Sequence, residues 1–174
     1  QTKDYLTTGL INSQMAILYN GMYIENQEDI ERYKKSLEYF RLAGHKRNEY
    51  SVASLIGQTY RSTSQLDSAF HYLNIALDLA REMKDSVVLF HNYSLLASTY
   101  LINEDYVHAR DVALYVINNH GNIPISNESY HCLSRAYARL GKADSARIYY
   151  DLVSNGQESS SDHRNLLTLV DILK

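Results

Sequence analysis

The sequence predicts an all-α fold, an α-α superhelix of antiparallel helical hairpins. Three observations lead there. Pro124 is the only proline and seven glycines are scattered singly through 174 residues, which leaves long stretches free of the residues that interrupt helices. Apolar residues recur at spacings of three and four, not two, the period of a helix with one buried face. A Tyr-to-Ala interval of nine residues occurs three times, at Tyr60 and Ala69, Tyr100 and Ala109, and Tyr137 and Ala146.

Taken in order, a first pair of helices is expected over about 4–21 and 28–44. The second pair carries two apolar stripes. Val52, Leu55, Ile56, Thr59 and Tyr60 mark a helix over 48–62, and Leu66, Ala69, Phe70, Leu73, Ala76, Leu77 and Ala80 mark another over 66–83. The same arrangement returns over 87–102 with 106–119, and over 126–140 with 143–155. Turn and cap residues fill the breaks between pairs, at Gly44 to Asn48, Lys84 to Ser86 and Gly121 to Ser126. The expected repeats are therefore about 4–44, 48–83, 87–119 and 126–155, within a single domain spanning 1–174. The closing stretch SSSDHRNLLTLVDILK places Leu166, Leu169, Val170 and Leu173 on one helical face. Residues 160–174 are expected to be a capping helix or the opening of a fifth, truncated repeat. The chain opens at Gln1 and stops at Lys174 inside an apolar run, so a piece of a longer protein is expected.

The repeated interval has a packing rationale. Three residues before each tyrosine stand Gly57, Ala97 and Ser134, all small. Two helix backbones approach closely only where side chains are short, and the alanine of the next helix supplies the matching gap. The pitch is 40 residues from Tyr60 to Tyr100 and 37 from Tyr100 to Tyr137, within the range of helical-hairpin repeats.

These residues resemble the tetratricopeptide (TPR) repeat, in which a small residue, Tyr, Ala, a large apolar residue and Ala stand at positions 8, 11, 20, 24 and 27. Gly57, Tyr60, Ala69, Leu73 and Ala76 follow that order; Ala97, Tyr100, Ala109, Ala113 and Val116 follow it next, then Ser134, Tyr137, Ala146, Tyr150 and Val153. The first repeat is looser. Ala16 and Tyr19 fit, Asp29 or Ile30 replaces the alanine, and Ser36 reaches position 27 only with one inserted residue. No tryptophan stands near position 4, where Ala53, Tyr93 and Tyr130 are found, and no proline closes each repeat. The resemblance implies a right-handed solenoid that binds a protein or peptide segment without catalysis.

In that family, positions 2, 5, 9 and 12 line a concave groove. The resemblance assigns Ser13 and Asn20 from the first repeat and Ser51, Ser54, Gln58 and Arg61 from the second. It assigns His91, Ser94 and Ser98 from the third, and Glu128, His131 and Arg135 from the fourth. Such a polar lining suits an extended peptide held by hydrogen bonds. Chaperone-binding members carry a two-carboxylate clamp that begins with Lys and Asn. Ser13 and Ile17 occupy those positions, with His91 and Leu95 in the third repeat, so the clamp is missing. The near-40 pitch and the phrase ALDLAREMKDSVVLFHNYSLLASTYL are similar to bacterial TPR regions of Bacteroidetes-like regulators, which are fused to membrane helices and DNA-binding or kinase domains. The alternative this implies is the sensor or regulatory region of a larger signalling protein or transcriptional regulator, in the cytoplasm or periplasm.

Chemistry-bearing motifs are sparse. The seven histidines include no i, i+4 pair on one helix, and neither HExxH nor CxxC occurs, so no metal is expected. Cys132 beside His131 lacks a third, orienting group and reads as a small packed side chain. No glycine-rich phosphate loop occurs, and no cofactor is expected. Asn92-Tyr93-Ser94 and Asn127-Glu128-Ser129 match the glycosylation pattern but fall in or at the start of predicted helices. Seventeen Lys and Arg against twenty Asp and Glu give a net charge of -3, which argues against direct nucleic-acid binding. Lys34, Lys35, Arg41, Lys46 and Arg47 are interleaved with Glu31, Glu38 and Glu49 and read as a solvated face. No run of 18 apolar residues occurs, so membrane insertion is not expected. Sixteen tyrosines accompany no tryptophan. Tyr60, Tyr100 and Tyr137 are expected to pack, whereas Tyr23, Tyr39, Tyr72 and Tyr149 are candidates for exposed contact residues, compatible with a protein partner or a homo-oligomer.

Overall fold

The computed structural model describes residues 2–20, 27–124 and 126–154, with side chains throughout except at 15–20, 27, 28 and 154. Eight α-helices and no strands are found among them. They are α1 (Thr2–Asn20), α2 (Gln27–Leu42), α3 (Lys46–Ser62), α4 (Leu66–Met83), α5 (Ser86–Ile102), α6 (Tyr106–Asn119), α7 (Asn127–Arg139) and α8 (Ala143–Ser154). Each agrees with a predicted helix, and α8 starts at Ala143 as expected. The expected helix or cap over 160–174 lies outside the described residues.

The helices gather into two compact units, Gln1–Asp85 and Ser86–Lys174, with two hairpins in each. In the first, α1 packs on α2, α2 on α3 and α3 on α4. In the second, α5 packs on α6, α6 on α7 and α7 on α8, while α5 also reaches α7.

Three hairpins turn in the same way, and the turn explains the nine-residue interval. In the second hairpin Ser64 takes the left-handed conformation, at φ 59°. Its N–H donates to Arg61 O at 3.1 Å, and the Gln65 N–H donates back to Tyr60 O at 2.9 Å. This is the paired bonding that closes a helix with a left-handed residue just past its end. Gln65 O then accepts from the Ala69 N–H at 3.0 Å and opens α4. The third hairpin repeats this with Glu104 (φ 59°) and the Asp105 N–H on Tyr100 O. The fourth repeats it with Gly141 (φ 73°) and the Lys142 N–H on Tyr137 O. Tyrosine carbonyl and alanine amide are thus the two ends of one hydrogen-bonded turn, so their separation is constant. Gly44 (φ 67°) makes the equivalent turn between α2 and α3, where the His45 N–H donates to Phe40 O at 3.0 Å.

Close packing follows from the small residues. A Cβ added at Gly57 would lie 2.7 Å from Leu73 Cγ, so α3 and α4 touch there without a side chain between them. Ala69, Ala109 and Ala146 are fully buried. In the fourth hairpin the Ser134 hydroxyl donates to Ala146 O at 2.8 Å, a polar contact at the matching position. The first hairpin makes its close approach at Gly9, against Phe40, and Ser36 donates its hydroxyl to Gly9 O at 2.7 Å. Ala16 was the expected residue; its side chain lies outside the described set. Asp29 and Ile30, the two candidates for the missing alanine, are both buried.

The tyrosines at positions 11 are joined by a partner twelve residues on. Tyr60 stacks on Tyr72 with centroids 5.7 Å apart, and Tyr137 on Tyr149 at the same separation. Val112 stands at the corresponding place in the third hairpin, and His108 stacks on Tyr100 at 5.3 Å instead. This corrects the expectation that Tyr72 and Tyr149 are exposed contact residues: each is half-buried against a ring of its own hairpin. Tyr39 is half-buried and stacked on Tyr5, and Tyr23 lies outside the described residues.

Asp105 caps α6. Its carboxylate accepts from the His108 N–H at 3.1 Å, and this backbone bond holds its carboxyl below the ordinary carboxylate range. A depressed folded-state value means the stabilisation is present above the unfolded-state value of about 3.9 and is lost as pH falls through the folded one.

Four stability outcomes are expected from chemical denaturation. Gly57→Ala lowers stability by about 1–3 kcal/mol, since the methyl must displace Leu73. Gly141→Ala costs about 1 kcal/mol because alanine pays for the left-handed conformation, whereas Ser64→Gly raises stability by a smaller amount. Asp105→Ala costs about 1 kcal/mol near neutral pH, and the gap from wild type narrows below pH 4; a gap that stays constant to pH 3 contradicts the cap.

Candidate functional site

The residues that the TPR resemblance assigns to a groove are all on α1, α3, α5 and α7, the first helices of the four hairpins. Their exposure differs. In the first unit, Ser51 is exposed and its hydroxyl donates to Arg47 O, one turn back. Gln58 and Arg61 are half-buried, while Ser54 is buried with its oxygens 3.4 and 3.5 Å from Gln58 Nε2. Ser13 is buried and donates to Leu10 O. The side chain of Asn20 lies outside the described set.

In the second unit, His91 is exposed, and Glu128 and Arg135 are half-buried. Ser94, Ser98 and His131 are buried. Ser94 and Ser129 meet hydroxyl to hydroxyl at 2.8 Å, joining α5 to α7. Small hydroxyls at these positions therefore help seat one hairpin on the next. That leaves His91, Glu128 and Arg135 with surface to offer a ligand.

Among the described residues, each unit has a cavity beside these helices. In the first unit a cavity of about 160 Å³ is lined by Leu10, Ser13, Phe40, Asn48, Ser51, Val52 and Leu55. Leu10 and Ser13 come from α1, Phe40 from α2 and the remainder from α3. Ser13, Asn48 and Ser51 bring polar groups to otherwise apolar walls. In the second unit a cavity of about 240 Å³ is lined by Leu101, Ile102, Glu104, Tyr106, Arg135 and Arg139. Sequence reasoning found Ser13, Ser51 and Arg135 but missed the apolar wall, Tyr106 and Arg139. Leu55 lies on a stripe that reads simply as core, Leu10 carried no signal, and Arg139 sits one turn beyond the assigned positions.

Four of the five basic residues singled out on α2 and α3 answer to carboxylates, and Lys35 is exposed. Lys34 pairs with Glu31 at 2.9 Å, Arg41 with Glu49 at 3.1 Å, Lys46 with Glu82 at 2.9 Å, and Arg47 with Asp85. Lys34 also lies over the Tyr60 ring, 5.9 Å from its centroid. The hydrogen bond to Glu31 holds its ammonium well above the ordinary lysine range. The stretch is a charge-balanced face, as its interleaved pattern predicts.

Cys132 is buried with its Sγ 3.8 Å from Ala109 O, and burial pushes its thiol up to about 12. Burial disfavours its thiolate, and the side chain packs in the hydrophobic core of the second unit, as read from the sequence. Asn92 is fully buried within α5, which closes that glycosylation motif to modification. Among the described residues no cluster of three His, Cys, Asp or Glu is placed to hold a metal, and no helix is long and apolar enough to cross a membrane.

No protein-family model and no curated protein matches the chain. Solved structures do. The kinesin-light-chain TPR-like repeats of Podosopora anserina superpose with a TM-score of 0.67 at 17% identity, covering 92% of this chain and 82% of that one. The fold is TPR-like. A Signal Transduction ATPase with Numerous Domains that carries a tetratricopeptide repeat sensor, from Pyrococcus horikoshii, gives 0.74 at 16% identity. That match covers 99% of this chain but only 27% of the larger protein. BtubC (BKLC) from P. vanneervenii gives 0.64 at 16% identity, over 89% of this chain and 67% of that one. At these identities the likeness is one of fold, a TPR-like helical-repeat solenoid.

Proposed function

We propose that this chain is a noncatalytic scaffold that binds an extended protein or peptide segment through the first helices of its TPR-like hairpins. The observation that carries the reading is the cavity rimmed by Ser13, Asn48 and Ser51 and walled by Leu10, Phe40, Val52 and Leu55. Its volume of about 160 Å³ suits one apolar side chain, in the size range of engineered apolar cavities that accept benzene. The polar rim offers hydrogen bonds to the backbone of the segment that carries this side chain. Gln58 and Arg61, further along α3, extend the contact. In the second unit the corresponding contacts are His91, Glu128 and Arg135, with Ser94, Ser98 and His131 supporting the helices beneath, as Ser54 does in the first unit.

A second reading is supported by the Pyrococcus horikoshii protein, whose TPR region is a sensor. Here the chain is the sensor region of a larger signalling protein or transcriptional regulator of bacterial type, and binding is its input. The neighbouring gene sequence separates the two: a hydrophobic span or helix-turn-helix downstream supports the regulator, and a stop codon soon after the Lys174 codon opposes it.

Selection from a random peptide display library on the immobilised chain is expected to yield sequences with a recurrent apolar anchor. Ser51→Arg, which obstructs the cavity mouth, weakens their binding at least tenfold with helicity unchanged by circular dichroism. The paired change Gln58→Ala and Arg61→Ala weakens it less. Equal binding by wild type and Ser51→Arg rules out the cavity as the anchor site.

A further inference from the structure

The cavity of the second unit has a different chemistry. Arg135 and Arg139 stand one turn apart on α7 and enter the same space of about 240 Å³, with Tyr106 from the start of α6 and Leu101 and Ile102 from the end of α5. Glu104, in the α5–α6 turn, is the one acidic residue of the lining. Two guanidiniums against one carboxylate leave a net positive wall.

Several features hold the wall in place. The Arg139 guanidinium lies 5.7 Å from the Tyr106 ring centroid, a cation-π contact that orients its planar fork. Arg135 is half-buried, so its charge faces less water than a surface arginine would. Leu101 is buried beside it and lowers the local dielectric. The turn that presents Glu104 is bonded at both ends, with the Glu104 N–H on Leu101 O and the Asp105 N–H on Tyr100 O. A compact cluster of forked donors on ordered elements is the arrangement that recognises oxyanions.

We infer that this cavity is a binding site for a compact oxyanionic group, a carboxylate or a phosphate monoester, gripped by Arg135 and Arg139 at the turn edge of the second unit. Arg135 is common to this site and to the peptide reading above, but Arg139, Tyr106 and Glu104 are not, and the apolar-anchor cavity belongs to the other unit, so a variant at Arg139 tests this site separately. Tyr106 contributes a ring that fixes Arg139, and Glu104 limits the charge that the site accepts. Each carboxylate group of a ligand brings one negative charge and matches the lining, whereas a phosphate dianion concentrates two charges on one group and must also repel Glu104.

The test is titration of the whole chain with sodium phosphate and, separately, sodium glutarate, each against sodium chloride at equal ionic strength. The readouts are the Arg135 and Arg139 side-chain NMR resonances and the thermal midpoint. A saturable shift with glutarate or phosphate, beyond that with chloride, is expected, with the apparent Kd weakened at least tenfold in Arg139→Gln. Stronger saturation by one anion identifies which group the site takes. Arg139 is exposed, so its variant serves even where Arg135→Gln unfolds the unit. Arg139→Lys, which keeps the charge and loses the fork, is expected to weaken binding at least threefold. No saturation with either anion, or a shift unchanged in Arg139→Gln, overturns the site.

Discussion

Three of the four hairpins depend on a left-handed residue just beyond their first helix. Ser64, Glu104 and Gly141 each reverse the chain within three residues and return an amide to a tyrosine carbonyl five positions back. That reversal sets the helices side by side at a fixed register, so Gly57 meets Leu73 and Ser134 meets Ala146. With a longer or looser turn, those small residues would have nothing opposite them. Burial then does the stabilising: α6, α7 and α8, at 14, 13 and 12 residues, are marginal alone in water, and helices in proteins draw most of their stability from packing.

The helices were readable because their signals are local. Apolar spacing, scarce proline and the nine-residue interval all act within one hairpin, and α1 to α8 follow them nearly residue for residue. What eluded the sequence depends on neighbours. Ser54, Ser94 and Ser98 carry polar side chains at positions that read as groove, yet they are buried because a serine hydroxyl can be satisfied by its own helix or by a facing serine. Tyr72 and Tyr149 read as spare aromatics until the twelve-residue offset to Tyr60 and Tyr137 becomes visible in space. Gly9 gave no warning at all. Its role depends on Phe40, 31 residues later.

The candidate sites were only half legible for the same reason. Arg135 and Ser51 could be placed by register, because the faces of a helix follow from its period. The cavities they border draw walls from other helices, such as Phe40 in one unit and Tyr106 in the other. One unit offers a mainly apolar cavity with a hydrogen-bonding rim, and the other a charged one. A scaffold whose hairpins share one frame is thereby free to differ in chemistry where the frame imposes nothing.

The stacked rings have a spectroscopic consequence. The chain contains no tryptophan, so its near-ultraviolet signal comes chiefly from tyrosine. Tyr137 and Tyr149 lie within 8° of parallel, and Tyr60 and Tyr72 within 21°, each pair bridging two helices of one hairpin. Their optical activity arises only while those helices are clasped. One pair belongs to each unit, which gives the molecule a built-in reporter of hairpin closure in both, with no label added.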